Sequence, residues 1–315
     1  NRWSMAEDAI DCYRKFIPSA GELSRQLGYK GLKWPKSVGP EGRSAPWAGN
    51  QVLLWKQPHP IFFAELEYRL RPGPVTLKKW SDIIEGTATH MADYAIYDAG
   101  AGVYHLDPVM PPSEQGITRD AVFDLAYWRW GLDHAQIWRK RMNKAPDPFW
   151  HKVRKNLAPL PVDSGVYVHS SEWHDTYIKR AWEHPDPVGV IGMLPPVEGV
   201  DMETAHRTIL KIWHTWDWKR CWGWDFPWFA MAAARLGEPK LAIDALLKDA
   251  GTKNFYDTRG VCTGGPCPYL PGNGGLLYAV AMMAAGWDGA PDRQAPGFHD
   301  DGTWTVRWEG LKPAL

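Results

Sequence analysis

Two stretches of this chain, FPWFAMAAARL (226–236) and GGLLYAVAMMAAGW (274–287), have helical character yet are apolar or aromatic almost all the way round. A helix without a polar face has to be covered on every side, so other helices must surround it. Elsewhere the helical period carries one charged face, as in TLKKWSDIIEGTATHMADYAIYD (76–98). The pattern predicts helices over 4–27, 59–71, 76–97, 118–142, 147–157, 172–183, 202–216, 226–236, 239–250 and 274–286. Strand-like runs are short: GVYHL (102–106), GVYVHS (165–170) and TWTVRWEG (303–310). They do not alternate with the helices, which argues against a parallel α/β sheet. Alternation of buried and half-exposed helices is what an inner and an outer ring would need. The Pro/Gly-rich connections at 31–58, 98–117, 158–171, 184–200 and 251–273 would then gather at one end, where loops on a rigid scaffold carry chemistry. No break in composition marks a second domain, so one domain over 1–290 and a short β tail over 291–315 are expected.

Lys+Arg and Asp+Glu both total 36, and a net charge of zero argues against a nucleic-acid surface or a polybasic membrane surface. No window reaches the roughly 20 apolar residues that span a bilayer. The chain holds 20 Trp. Half of them suffice to fill a helical core. Others suit a cleft, where an indole face covers the apolar face of a sugar and its N–H bonds a hydroxyl. Trp55, Trp173, Trp224 and Gln57 are the cleft-lining expectations. Cys262 and Cys267 in VCTGGPC are spaced to close a small disulfide loop, and no cysteine spacing suits zinc. The compartment stays open, with secretion or the periplasm favoured.

Residues 108–116 read PVMPPSEQG. Proline removes a backbone donor and clashes with the preceding helical turn, so this run is a stiffened loop. It holds a single carboxylate, Glu114, ahead of the helical pattern that opens at Thr118. A capping role near that helix is the ordinary explanation. A proton donor kept in place is the other.

Several motifs, in order, resemble the six-hairpin, (α/α)6-barrel glycosidases. HPIFFAELEYR (59–69) is similar to an aromatic-rich helix there, and 76–98 to the helix that follows. Pro112-Ser113-Glu114-Gln115 stands where that family has a Ser-Pro-Glu-Asn-like motif. GWDFPWFAMAAARLGEPKLAIDALL (223–247) and PYLPGNGGLLYAVAMMAAGW (268–287) resemble its later helices. The likeness is greatest to glycoside hydrolase family 95, the inverting α-L-fucosidase type, and more distant to family 65. It implies an all-α (α/α)6 toroid with minor short β elements, a carbohydrate substrate, no cofactor, and Glu114 as general acid of an exo-acting, inverting hydrolase. The motifs begin at the third helix of such a barrel. The resemblance therefore implies that the first hairpin is lacking, and that a missing N-terminal region or a partner completes the barrel.

An inverting hydrolase also needs a carboxylate to activate water, about 6.5–9.5 Å from the acid. The residue expected for this, before Gly-Asn in the family, is here Pro271. Asp225 in WGWDFPWF is the favoured replacement, because a helix start keeps a carboxylate ionised. An N-cap is its ordinary alternative, and Glu172 and Asp257 are weaker rivals. Asn273 in PGNGG matches the family's Asn beside the base, and turn chemistry explains it equally well. His59, between two prolines, is placed to reach a sugar hydroxyl, and His184 in WEHPDP is similar. Three alternatives to a hydrolase stand: a non-catalytic carbohydrate-binding protein, a phosphorylase like those of family 65, and a polysaccharide lyase using HSSEWHDTY (169–177).

Overall fold

A computed structural model describes residues 3–315. The chain folds as two compact units, one running to Leu160 with residues 170–172 added, the other holding 161–169 and 173–315. The division falls in a connection where Pro159 and Pro161 stop any helix from continuing. The sequence predicts one domain over 1–290, with no break at this place.

In the first unit the predicted helix over 4–27 is three helices, α1 (Trp3–Ile10), α2 (Cys12–Lys15) and α3 (Ile17–Gln26). Pro18 in the first turn of α3 explains the last break. There follow α4 (Gly49–Val52), α5 (His59–Leu70) and α6 (Pro74–Tyr94). Next come β1 (Ile96–Asp98), which pairs antiparallel with β2 (Val103–His105), and then α7 (Val122–Arg141) and α8 (Pro148–Lys155). Pro60 and Pro74 open α5 and α6, where a missing N–H costs nothing. The Asp147 carboxylate caps α8 by accepting from Phe149 N and Trp150 N.

Helix α7 is the core of this unit: Trp128, Trp130 and Trp138 are all buried. Their polar edges are partly satisfied inside. Trp128 Nε1 donates to the Met91 carbonyl and Trp138 Nε1 to Glu65, each at 2.9 Å. The segment after α3 crosses α6 at close range, with Leu32 N donating to the Gly86 carbonyl at 2.8 Å. Gly31 makes this crossing possible, since a Cβ there would lie 2.3 Å from that same oxygen. The crossing sets the place of Lys33, Trp34 and Lys36.

The second unit starts with the short ribbon β3 (Val162–Asp163) and β4 (Val166–Tyr167). The helix predicted over 172–183 is only α9 (Thr176–Lys179). Thr176 turns its hydroxyl to the Trp173 carbonyl and accepts from His169 N, the local side-chain bonding that competes with a longer helix. Then come α10 (Met202–Thr215), α11 (Asp225–Arg235), α12 (Pro239–Leu246) and α13 (Leu270–Ala285).

The two apolar helices part company. Every residue of α11 from Asp225 to Ala234 is buried, as expected. Helix α13 turns Ala279, Met282 and Met283 inward but leaves Leu270 and Leu277 at 63% and 71% exposure. No strand forms over 303–310; the tail closes through one parallel bridge, Trp287 to Ala314. The expected β tail is thus an irregular segment. All four cysteines are free, with Cys262 buried and Cys267 exposed, so the expected disulfide is not formed.

Candidate active site

The loop that carries Glu114 is tied at its base. Val109 and Thr118 exchange two backbone hydrogen bonds, at 2.9 and 2.8 Å, and Met110 N donates to the Val52 carbonyl at 2.8 Å. Pro111, Pro112 and Ser113 are buried. The chain then reverses, Glu114 N donating to the Pro111 carbonyl at 2.9 Å, and Glu114 itself takes φ of 52°, the left-handed region. Its side chain, 32% exposed, pairs with the Lys36 ammonium. The sequence predicts a partly desolvated acid among apolar neighbours; the structure gives it a lysine instead.

Lys36 is one of three lysines gathered here. Its Nζ lies 5.5 Å from the ring centre of Trp47, an exposed indole. Lys56 is buried behind it, and burial pushes its pKa well below the ordinary value. The charges of Lys33 and Lys36 push it the same way, while Asp124 and Glu114 push back. Lys33 is also wholly buried, which lowers its pKa to about 7 against the opposing pull of Asp124. Lys33 Nζ has no hydrogen-bond acceptor among the described residues and sits 5.2 Å from the Tyr94 ring centre. Burial thus holds back positive charge at both lysines.

His59 belongs to the same neighbourhood, since Lys56 adds to the burial that lowers its pKa to about 4. The ring is therefore neutral near pH 7. Its Nδ1 is 3.0 Å from the Tyr127 hydroxyl, and its face meets the half-buried Trp55 edge-on at 5.5 Å. Gln57 is not a cleft residue. It is fully buried, its carbonyl accepting from Trp34 N at 3.0 Å and its amide donating to the Leu32 carbonyl at 2.7 Å. Those two bonds hold the lysine-bearing segment rather than a ligand. Glu172 is exposed and accepts from the Thr118 hydroxyl at 3.0 Å, at the base of the Glu114 loop.

The second unit holds the other sequence-predicted residues. Asp225 is fully buried. Its carboxylate faces His184 Nδ1 at 2.8 and 3.0 Å and accepts from Trp222 N at 2.7 Å. Burial opposes charge on His184, but the Asp225 carboxylate and the acids around it outweigh that and raise its pKa. Trp224 places its indole nitrogen 2.9 Å from the same His184 Nδ1. Trp222 Nε1 donates to Glu183, whose φ of 60° is also left-handed.

Trp173 is buried with the Arg180 guanidinium 3.9 Å from its ring centre, and that face is closed to a sugar. Asn273 accepts from Cys262 N at 2.9 Å and donates to the Gly260 carbonyl at 2.7 Å, which is turn chemistry. Asp257 is likewise spent, on Arg259 and the backbone of Val261.

Sequence spacing offers no way to find Lys36, which lies 78 residues from its partner. Pro35 within KWPK was the available signal, and Trp47 in APWAG carried none. Among the described residues no group of three or more His, Cys, Asp or Glu side chains is arranged to hold a metal ion.

No family model matches this sequence, and no curated protein matches it. Among solved structures it is similar to a putative kojibiose phosphorylase from human microbiome, with a TM-score of 0.65 over 87% of this chain and 9% sequence identity. The match covers 46% of that protein's length. At this identity the likeness shows a shared fold and nothing finer.

Proposed function

From that fold as premise, we propose that the chain cleaves a glycosidic bond with inversion, Glu114 protonating the leaving oxygen and inorganic phosphate attacking the anomeric carbon. The observation that carries this is the pairing of one loop-borne acid with Lys36, whose charge and that of buried Lys33 both act on the buried Lys56. Lys36 occupies the carboxylate that must be protonated. A phosphate drawn to Lys36 competes for that ammonium and frees the carboxyl to take up a proton. It also favours recharging of Lys33 and Lys56 behind it. The leaving sugar takes the proton of Glu114, the C–O bond to phosphate replaces the one broken, and phosphate returns a proton to Glu114.

Phosphate is already a nucleophile, whereas water needs a base. Pro271 stands where the resemblance puts that base, and Asp225 is buried against His184 and Trp222. The structural neighbour's description as a phosphorylase agrees. Hydrolysis, the activity of the family 95 type, keeps one specific support. Glu172 is an exposed carboxylate held at the base of the Glu114 loop and is the candidate to activate water.

A panel of disaccharides, incubated with and without inorganic phosphate, separates the two. Equal amounts of a sugar 1-phosphate and a free sugar, formed only with phosphate present, are expected. The first-formed 1-phosphate should have the opposite anomeric configuration to the substrate by proton NMR. Two free sugars released at the same rate without phosphate establish hydrolysis. Binding without any product leaves a carbohydrate-binding protein.

A further inference from the structure

The irregular tail of the second unit forms an open cavity of about 520 Å³, lined by Arg293, Phe298, His299, Asp300, Trp304 and Arg307 among others. None of these residues belongs to the Glu114 site. Trp304 is 41% exposed, and it is held rather than loose. Its indole N–H donates to His299 Nε2 at 3.2 Å. That bond leaves the histidine proton on Nδ1, which lies 2.9 Å from Asp301 Oδ1. Asp301 in turn accepts from Thr303 N at 2.9 Å. Phe298 packs against the indole with ring centres 5.7 Å apart.

Beside this fixed ring stand two guanidinium groups. Arg293 donates to the carbonyls of Pro296 and Phe298, at 2.8 and 2.7 Å, and so pins the cavity wall. Arg307 is exposed and has no ion-pair partner among the described residues. Asp300 adds one acceptor. A flat apolar face, a guanidinium open to bidentate contact and a single carboxylate acceptor match a pyranose ring that carries its own carboxylate.

We propose that this cavity is a non-catalytic subsite for a uronic acid residue, with Trp304 beneath the sugar ring, Arg307 on the sugar carboxylate and Asp300 accepting hydroxyl hydrogens. His299 is a positioning residue that holds the indole. The site does not depend on which reaction Glu114 carries out.

Isothermal titration of the protein with tetragalacturonate, a neutral galactose tetramer and a sulfated tetramer tests it. Tetragalacturonate should bind with roughly tenfold or greater preference over the neutral tetramer, and more weakly as salt is raised. Trp304→Ala and Arg307→Ala should each weaken it by about tenfold, with Arg307→Lys in between. Thermal melts of these exposed-residue variants should match the parent. If Trp304→Ala melts early, the Arg307→Lys and Arg307→Ala pair alone decides. Three outcomes overturn the site: no heat of binding up to millimolar tetragalacturonate, unchanged affinity in the Arg307 variants, or a neutral or sulfated tetramer that binds equally well.

Discussion

Glu114 and Asp225 carry the same functional group in short segments before or at the start of long helices, and the protein treats them in opposite ways. Glu114 is 32% exposed, on a left-handed residue, with a lysine as its partner. Asp225 is fully buried, with a histidine and a backbone N–H on its two oxygens. A carboxylate that must exchange a proton with a substrate needs an open side and a partner that can leave. One wrapped on all sides holds loops together. On the proposed reading, solvent access, more than position at a helix start, separates the two carboxylates.

The strongest test of this contrast is Glu114→Gln, which keeps the shape and removes the proton. Turnover of a natural glycoside should fall by about 10²–10⁴-fold, the usual worth of a positioned acid. Glycosides with good leaving groups should suffer less, and the melting temperature should hardly move. Asp225→Ala should do the reverse. Breaking a buried pair costs about 3–5 kcal/mol, or roughly 10 °C in a melt for a chain of this size. If Asp225→Asn instead keeps the melting temperature and loses activity as Glu114→Gln does, the contrast is broken and Asp225 is a base after all.

Lys36→Met sharpens the picture from the other side of the ion pair. KM for phosphate should rise by about tenfold through loss of a charged hydrogen bond, while stability changes by less than about 1 kcal/mol because the pair is part-exposed and screened.

The smallest effect is in pH dependence, followed by histidine NMR and denaturant unfolding. The folded pKa of His184 lies above 6.5, so its contribution to stability is full below 6.5 and fades as pH rises through the raised value. His59 falls from 6.5 to about 4 on folding, so its contribution is present above 6.5 and is lost as pH drops toward 4. A His184 that titrates below 6.5 would contradict the raised value that its pairing with Asp225 implies.

Much of the helical plan was legible. The periodic runs at His59–Leu70, Met202–Thr215 and Asp225–Arg235 stand within a residue or so of where the sequence puts them. Local chemistry overrode the rest. Side-chain bonds from Thr176 shortened the helix expected over 172–183. Helix α13 shows a different limit, because apolarity records what a helix would bury, not what lies beside it.

At the site, prolines made Glu114 visible, since rigidity is written locally. Lys36 was invisible because its approach depends on the Gly31 crossing of α6, a long-range event. Gln57 misled for a related reason: nothing in WKQPHP reveals that the amide is already taken by the backbone of Leu32 and Trp34.

The left-handed backbone of Glu114 has a practical consequence for anyone seeking a hardier version of this protein. A residue with a Cβ held at φ of 52° costs about 1 kcal/mol or more relative to a relaxed conformation, and glycine at such a place does not bear that cost. A screen that ranks substitutions by heat resistance alone would therefore accept Glu114→Gly as neutral or better. If Glu114 is the acid, the survivors of that screen would be sturdy and inert, so durability and turnover must be selected together at this loop.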